Sequence, residues 1–179
     1  MSLNIGRETF KGRIIDADDR NNRLGLNDLK ERDPQEKLLV ENKQNKQAYV
    51  PISKLIQMIE ENNLSISANG AMFSTDNESY LSSILNKWFD ERVKYKDEMK
   101  KAFKAGNKEE GESFYMKQYT MKILLNSLYG ATALPGFRYG LPKSILSEAI
   151  TLTGWRIIQE SALCANRHMN KVLRGEITL

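Results

Sequence analysis

Residues 75–130 read TDNESYLSSILNKWFDERVKYKDEMKKAFKAGNKEEGESFYMKQYTMKILLNSLYG, and the architecture turns on them. Thr75, with Glu78 three residues on, has the form of a capping box and predicts a long helix from about residue 76 to 104. Gly106 stands where a C-terminal cap belongs. A second helix is predicted from near Lys108, with Glu109, Glu110 and Glu112 in its first turns, where acids suit the macrodipole. It runs to Tyr129, and Gly130 ends it. Two helices joined by so short a loop make an antiparallel hairpin, whose first arm is roughly 40 Å long at about 1.5 Å per residue.

Towards the N-terminus, Ile66 and Ala71-Met72-Phe73 flank Asn69-Gly70, a two-residue turn signal that predicts a β-hairpin over 64–74. Pro51 to Asn63 reads as a helix, with Leu55, Ile56, Met58 and Ile59 as its apolar positions. Residues 4–50 are polar and show no sustained period. Asp16, Asp18, Asp19, Arg20, Asn21 and Asn22 form a turn-rich stretch, but the glycine and bidentate Glu of a calcium loop are replaced by Asn21 and Asn27. A solvated loop is the reading there. Towards the C-terminus, residues 131–141 form a loop with Pro135. Pro142 opens a third helix to about Lys171, with Leu146, Ile150, Thr153, Ile157 and Cys164 along one stripe and Trp155 packed inward. The fold class is therefore mainly α, α+β overall: a long helical hairpin, a third long helix and a small β-hairpin.

The chain has 179 residues, one domain or a large piece of one, with a net charge of +4. No apolar run approaches the roughly 20 residues of a membrane helix, so no membrane partner is expected. A single cysteine, Cys164, excludes an internal disulfide. Cys164 and His168 are two potential ligands, too few for zinc, and no metal-ligating set is expected. Residues 1–64 hold 11 basic and 11 acidic side chains, whereas residues 87–108 hold eight basic against Asp90, Glu91, Asp97 and Glu98. A local basic surface attracts polyanions; the plain alternative is a solvated helix with i,i+4 ion pairs.

Along the first arm, steps of four and three trace Leu81, Leu85, Trp88, Arg92, Lys96, Met99 and Phe103. Two cations interrupt an apolar stripe, and burying them unpaired costs several kcal/mol each. They snorkel, pair with acids or face an anion. On the second arm, Phe114, Met121, Leu124, Leu125 and Leu128 form the apolar stripe, and Gln118, Lys122 and Asn126, with Tyr129 beyond, form a polar one. Arg92, Lys96 and Lys122 together suit a triphosphate, an Arg as a fork and a Lys as a point charge. Trp88, Phe89, Tyr95, Phe103, Phe114, Tyr115 and Tyr119 either stack on bases or, as helical spacing favours, zip the arms together. Arg138 and Lys143 either touch DNA phosphates or are solvated.

Lys122, Asn126, Ser127, Tyr129 and Gly130 fall at the spacing K-x-x-x-N-S-x-Y-G. This resembles the motif on the second fingers helix of family B DNA polymerases. The resemblance is closest to the T-even-like phage replicative enzymes. Asn4-Ile5, Glu8-Thr9, Asn69-Gly70-x-Met72, Arg92 with Lys96, Phe137-Arg138-Tyr139, Ala149-Ile150-Thr151 and Gly154 also resemble that group. It implies a palm segment over 1–75, the fingers over 76–130 and a second palm segment over 131–179.

The resemblance also implies that Arg92, Lys96 and Lys122 grip the phosphates of an incoming deoxynucleoside triphosphate, with Lys122 as the catalytic cation. Asn126 then positions the nucleotide, Gln118 lies on the same face, and Tyr129 and Gly130 lie against the nascent base pair. Implied partners are a DNA primer–template and the rest of a polymerase chain, in the cytoplasm of a bacterial host. The family's palm aspartates, in D-x-x-S-L-Y-P-S and Y-G-D-T-D-S motifs, are absent from the sequence. The chain is thus expected to be a fragment, inactive alone, whose parent uses Mg2+ held by ligands this chain lacks. Two other classes remain open: a stand-alone nucleic-acid-binding helical module, and an interaction scaffold.

Overall fold

The computed structural model describes residues 4–17, 24–134 and 145–176. Five helices and a small antiparallel sheet make the fold mainly helical, as the sequence pattern implies. The expectations on Asp18 to Asn22, Pro135, Arg138, Pro142 and Lys143 lie outside the described residues. The chain divides into two compact units, residues 1–10 with 73–147 and residues 11–72 with 148–179. Among the described residues no helix is long and apolar enough to cross a membrane.

The sheet includes the hairpin read from the sequence over 64–74, now β4 and β5, and three strands that the sequence reading did not find. β1 (Phe10–Ile14), β2 (Lys37–Asn42), β3 (Gln47–Pro51), β4 (Leu64–Ile66) and β5 (Ala71–Ser74) lie in the order β3-β2-β1-β5-β4. β1 is too short to show a sustained period, yet Phe10, Gly12 and Ile14 are buried while Lys11 is exposed, the alternation of a half-covered strand. Arg13 stands opposite Glu41 on β2 and donates to its carboxylate at 2.8 Å. A Cβ at Gly12 would lie 2.5 Å from the Glu41 carbonyl oxygen, so the strands approach there as only glycine allows. The β2–β3 turn carries no glycine. Asn45 takes the left-handed conformation instead (φ 59), and Asn42 Oδ1 accepts from the Gln44 and Lys46 amides. Asp16, the first residue of the supposed calcium loop, accepts from the Leu39 amide at 2.8 Å and so serves a strand.

α1 (Leu26–Lys30) and α2 (Ile52–Glu61) cover this sheet. Ile14, Leu24, Leu29, Leu38, Ile52, Leu55, Ile59 and Met72 form its core. Asn69-Gly70 makes the turn between β4 and β5, with Gly70 at φ 78 and Ser67 exchanging backbone bonds with Gly70 and Ala71. α5 (Ile145–Leu173) is held where Thr153 Oγ1 accepts from the Ala68 amide at 3.0 Å and Arg156 pairs with Asp28 at 2.6 Å. Leu146, Ile150 and Thr153 are shielded as expected, but Ile157 and Cys164 are exposed, and so is half of Trp155. The inward stripe ends near the Arg156–Asp28 pair, because no described element covers the helix beyond Gln159.

In the first unit, α3 (Tyr80–Lys104) and α4 (Lys108–Ala133) form the long antiparallel hairpin. The first helix begins four residues later than the capping-box reading places it. Its cap is Ser79, whose Oγ accepts from the Ser82 amide at 3.0 Å, rather than Thr75. The cause lies in the N-terminal segment. Buried Asn4 donates to the Ser74 and Asn77 carbonyls and accepts from the Ser79 amide at 2.6 Å, which keeps 75–79 out of the helix. Ser79 donates to the Ile5 carbonyl, and the Glu8 carboxylate accepts from the Tyr80 amide at 2.7 Å. Gly106, at φ 76, closes the tip as expected, and Asn107 caps α4 through the Glu110 amide. Gly130 does not end α4, which continues to Ala133. A glycine inside a helix costs about 1 kcal/mol but does not stop it.

Candidate functional site

The main line of burial along the hairpin steps by four and three, with Glu91, Glu98 and Leu124 partly shielded beside it. On α3 the shielded positions include Leu81, Leu85, Trp88, Arg92, Tyr95, Met99 and Ala102; on α4 they include Gly111, Phe114, Gln118, Met121, Leu125, Leu128 and Thr132. That is the 3.5-residue period of a two-helix seam. Its members correct the stripe read from sequence. Tyr95 and Ala102 occupy the seam, and Lys96 and Phe103 stand one residue outside it, exposed. Tyr95 stacks on Phe114 across the seam with ring centroids 6.5 Å apart. The Phe103 ring lies so close to Gly111 that a Cβ there would meet it at 2.6 Å. Of the aromatic residues expected to zip the arms, Phe89, Tyr115 and Tyr119 are exposed instead.

Arg92 is therefore a cation within the seam, half-buried, and its Nε has no hydrogen-bond partner among the described residues. The contacts at Tyr95 and Phe103 set the register, and Arg92 falls level with Gln118 and Met121. Lys96 lies one residue outside the seam on α3, as Lys122 and Tyr129 do on α4. Because the helices run antiparallel, these positions share one flank of the hairpin. Asn126 lies next to them on the same flank, exposed. Lys122 falls within about one turn of Arg92 along the axis, and Lys96 about one turn nearer the tip, so the three cations span about 10 Å. Gly130 is on the outer face of α4, away from α3, with nothing within 4 Å of a Cβ.

The sequence explains why these three cations remain available. Arg92, Lys96 and Lys122 have no acid three or four residues away in either direction. Of the other lysines of the basic stretch, Lys100 pairs with Asp97, Lys101 with Glu98 at 2.8 Å and Lys108 with Glu112, whereas Lys104 likewise has no acid three or four residues away. Local ion pairing thus accounts for those three lysines, and what sets Arg92, Lys96 and Lys122 apart is their shared flank together with the lack of an intrahelical acid.

Sequence reasoning missed the knot of Asn4, Gly6, Glu8 and Ser79 that fixes where α3 begins and so the phase of every residue along it. A Cβ at Gly6 would sit 2.6 Å from the Ser79 Cβ. Asn4 holds φ 31, a conformation asparagine tolerates. No local pattern signals a partner some seventy residues away. Among the described residues no three His, Cys, Asp or Glu side chains cluster as metal ligands.

No curated protein matches the chain. A family model described as DNA polymerase family B matches residues 30–178, which include α2 to α5 and the whole cationic flank. With that match covering most of its length, the chain belongs to DNA polymerase family B.

Proposed function

We propose that the α3–α4 hairpin is the fingers element of a DNA-directed DNA polymerase of the T-even-like phage type, acting in the cytoplasm of a bacterial host. Arg92, Lys96 and Lys122 bind the triphosphate of the incoming deoxynucleotide. The convergence of three cations without intrahelical acids on one flank supports this reading. Arg92 forks onto phosphate oxygens, and its seam position pre-orients it. Asn126 positions the nucleotide, and Tyr129 and Gly130 adjoin the nascent base pair. The rest of the polymerase chain and a primer–template supply what this chain does not hold.

Phosphoryl transfer is catalysed mainly by positioning and by stabilising charge on the phosphates. The leaving pyrophosphate gathers negative charge as the bond to the α-phosphorus breaks. A fixed ammonium at Lys122 meets that charge most strongly in the transition state, which raises the rate rather than the affinity. The sequence contains neither palm aspartate motif of the family, so the chain by itself does not polymerise. In the intact polymerase, Lys122→Ala lowers the single-turnover incorporation rate by about 100- to 1,000-fold, comparable to losing one oxyanion donor. Primer–template affinity changes little. Equal loss of rate and of DNA affinity would overturn the phosphate role.

A further inference from the structure

The flank that carries Lys96 and Lys122 continues towards the hairpin tip, and aromatic side chains join it there. Tyr115 and Tyr119 stand four apart on α4 with ring centroids 6.1 Å apart and planes 13° from parallel. They are 47% and 43% exposed, so each ring keeps a face to solvent. The seam register puts Lys96 level with Tyr115, and Lys100 lies one turn nearer the tip on the same flank. Tyr95 and Phe114, not Tyr115 and Tyr119, are the rings that stack across the seam.

The two flanks differ in charge. On this one stand Lys96, Lys100, Lys108 and Lys122 with one acid, Glu112, which pairs with Lys108, while Lys100 also reaches Asp97 on the outer face at 3.5 Å. On the other, Glu91, Glu98 and Glu110 alternate with lysines, and the Lys117 ammonium is drawn over the Phe114 ring at 5.1 Å. Solubility alone calls for neither the segregation of charge nor a pair of parallel exposed rings beside it. We propose that this flank is a stacking platform for single-stranded nucleic acid. Bases stack on Tyr115 and Tyr119, and Lys96 and Lys100 track the phosphates. An acidic protein surface would match the lysines but leave the parallel rings unused. A duplex keeps its bases stacked internally and offers no free face. The platform shares Lys96 with the triphosphate reading but extends beyond it, because neither tyrosine nor Lys100 belongs to that site.

The test is fluorescence anisotropy of the 179-residue chain with a labelled oligothymidylate of about 12 nucleotides, and with an abasic strand of the same length. Tyr115→Ala/Tyr119→Ala weakens thymidylate binding at least about tenfold and leaves abasic binding unchanged, and Tyr115→Phe/Tyr119→Phe restores it. Lys94→Ala/Lys101→Ala, on the opposite flank, has the smaller effect. Equal affinity for the two strands, indifference to the tyrosine changes, or tighter capture of polyglutamate than of either strand overturns the proposal. If the alanine pair unfolds the hairpin, photocrosslinking of a 5-bromodeoxyuridine strand to the unsubstituted chain decides. Adducts on Tyr115 or Tyr119 support the platform, and adducts confined elsewhere overturn it.

Discussion

The sheet-backed core of the second unit and the seam of the hairpin solve different problems. In the core, eight apolar side chains close on one another, and the nearest charges, Arg13 with Glu41 and Arg156 with Asp28, pair at its margin. In the seam, a guanidinium and an amide sit level with each other between apolar layers, at Arg92 and Gln118. A buried Nε without a partner is a standing cost. One region gives up chemistry for stability, and the other gives up stability at the place where the proposed function puts an anion.

That contrast has a direct energetic reading. Leu55 is fully buried, so Leu55→Ala destabilises the second unit by about 2–5 kcal/mol, the transfer and cavity cost of a core leucine. Leu85 is only half-buried in the seam, and Leu85→Ala costs less than half as much. The two tryptophans separate the units: Trp88 lies on α3 and Trp155 on α5. Urea titrations in Trp88→Phe and Trp155→Phe backgrounds therefore read each unit alone. Equal losses for the two leucines would break the contrast.

The seam should also respond in the opposite sense. Arg92→Leu removes the unpartnered donor and adds apolar area, and it stabilises the hairpin by about 1–2 kcal/mol. The same change abolishes one of the proposed phosphate ligands, a gain in stability bought with function. Trp88 emission during urea unfolding measures it. A loss of stability would show that the guanidinium already has a partner in the free protein.

Much of this was legible in the sequence, and the failures have physical causes. The hairpin, its tip at Gly106 and the β4–β5 turn were plain because glycines stood where left-handed residues are needed. Leu81, Trp88, Tyr95 and Ala102 recur every seven residues, and that spacing held the seam. Stepping from Arg92 by four rather than three led onto the exposed side, to Lys96. β1 to β3 escaped notice because they are short and their tightest turn uses Asn45 rather than glycine. Thr75 lost the cap to Ser79 because Asn4, distant in sequence, bonds the intervening backbone. Lys122, Asn126 and Tyr129 were readable as a motif. That they share a flank became evident only from the antiparallel register.

Two glycines sharpen the contrast between fold and function at the scale of one methyl group. Gly130 lies inside α4 with open space around it, so Gly130→Ala gains about 1 kcal/mol of helix stability. Gly111 has the same helical setting, but an added Cβ meets the Phe103 ring at 2.6 Å. Gly111→Ala therefore gains less than Gly130→Ala or loses outright, depending on how far the half-exposed ring can swing. Trp88-monitored unfolding ranks the two. If they are equal, Phe103 moves freely and the tip packs more loosely than the seam. If Gly130→Ala stabilises the hairpin yet slows incorporation in the intact polymerase, that glycine is kept for the substrate and not for the helix.

The smallest effect lies on the flank where charges cancel. The Glu98 carboxylate accepts a hydrogen bond from Lys101 and, with its charge, holds the ammonium above its ordinary value near 10.5. A raised lysine value means that its contribution to stability is fully present below the unfolded value and fades as pH rises through the folded one. The pair is exposed and screened, so the change in stability is slight. The titration itself is the better observable. Followed by NMR at the Lys101 ε-carbon, the midpoint falls back towards the ordinary value in Glu98→Gln. Unchanged titration in that variant would mean that the pair does not persist in solution. The opposite flank would then no longer be self-neutralised by its own acids, and the charge difference between the two flanks would narrow to the spacing of their lysines.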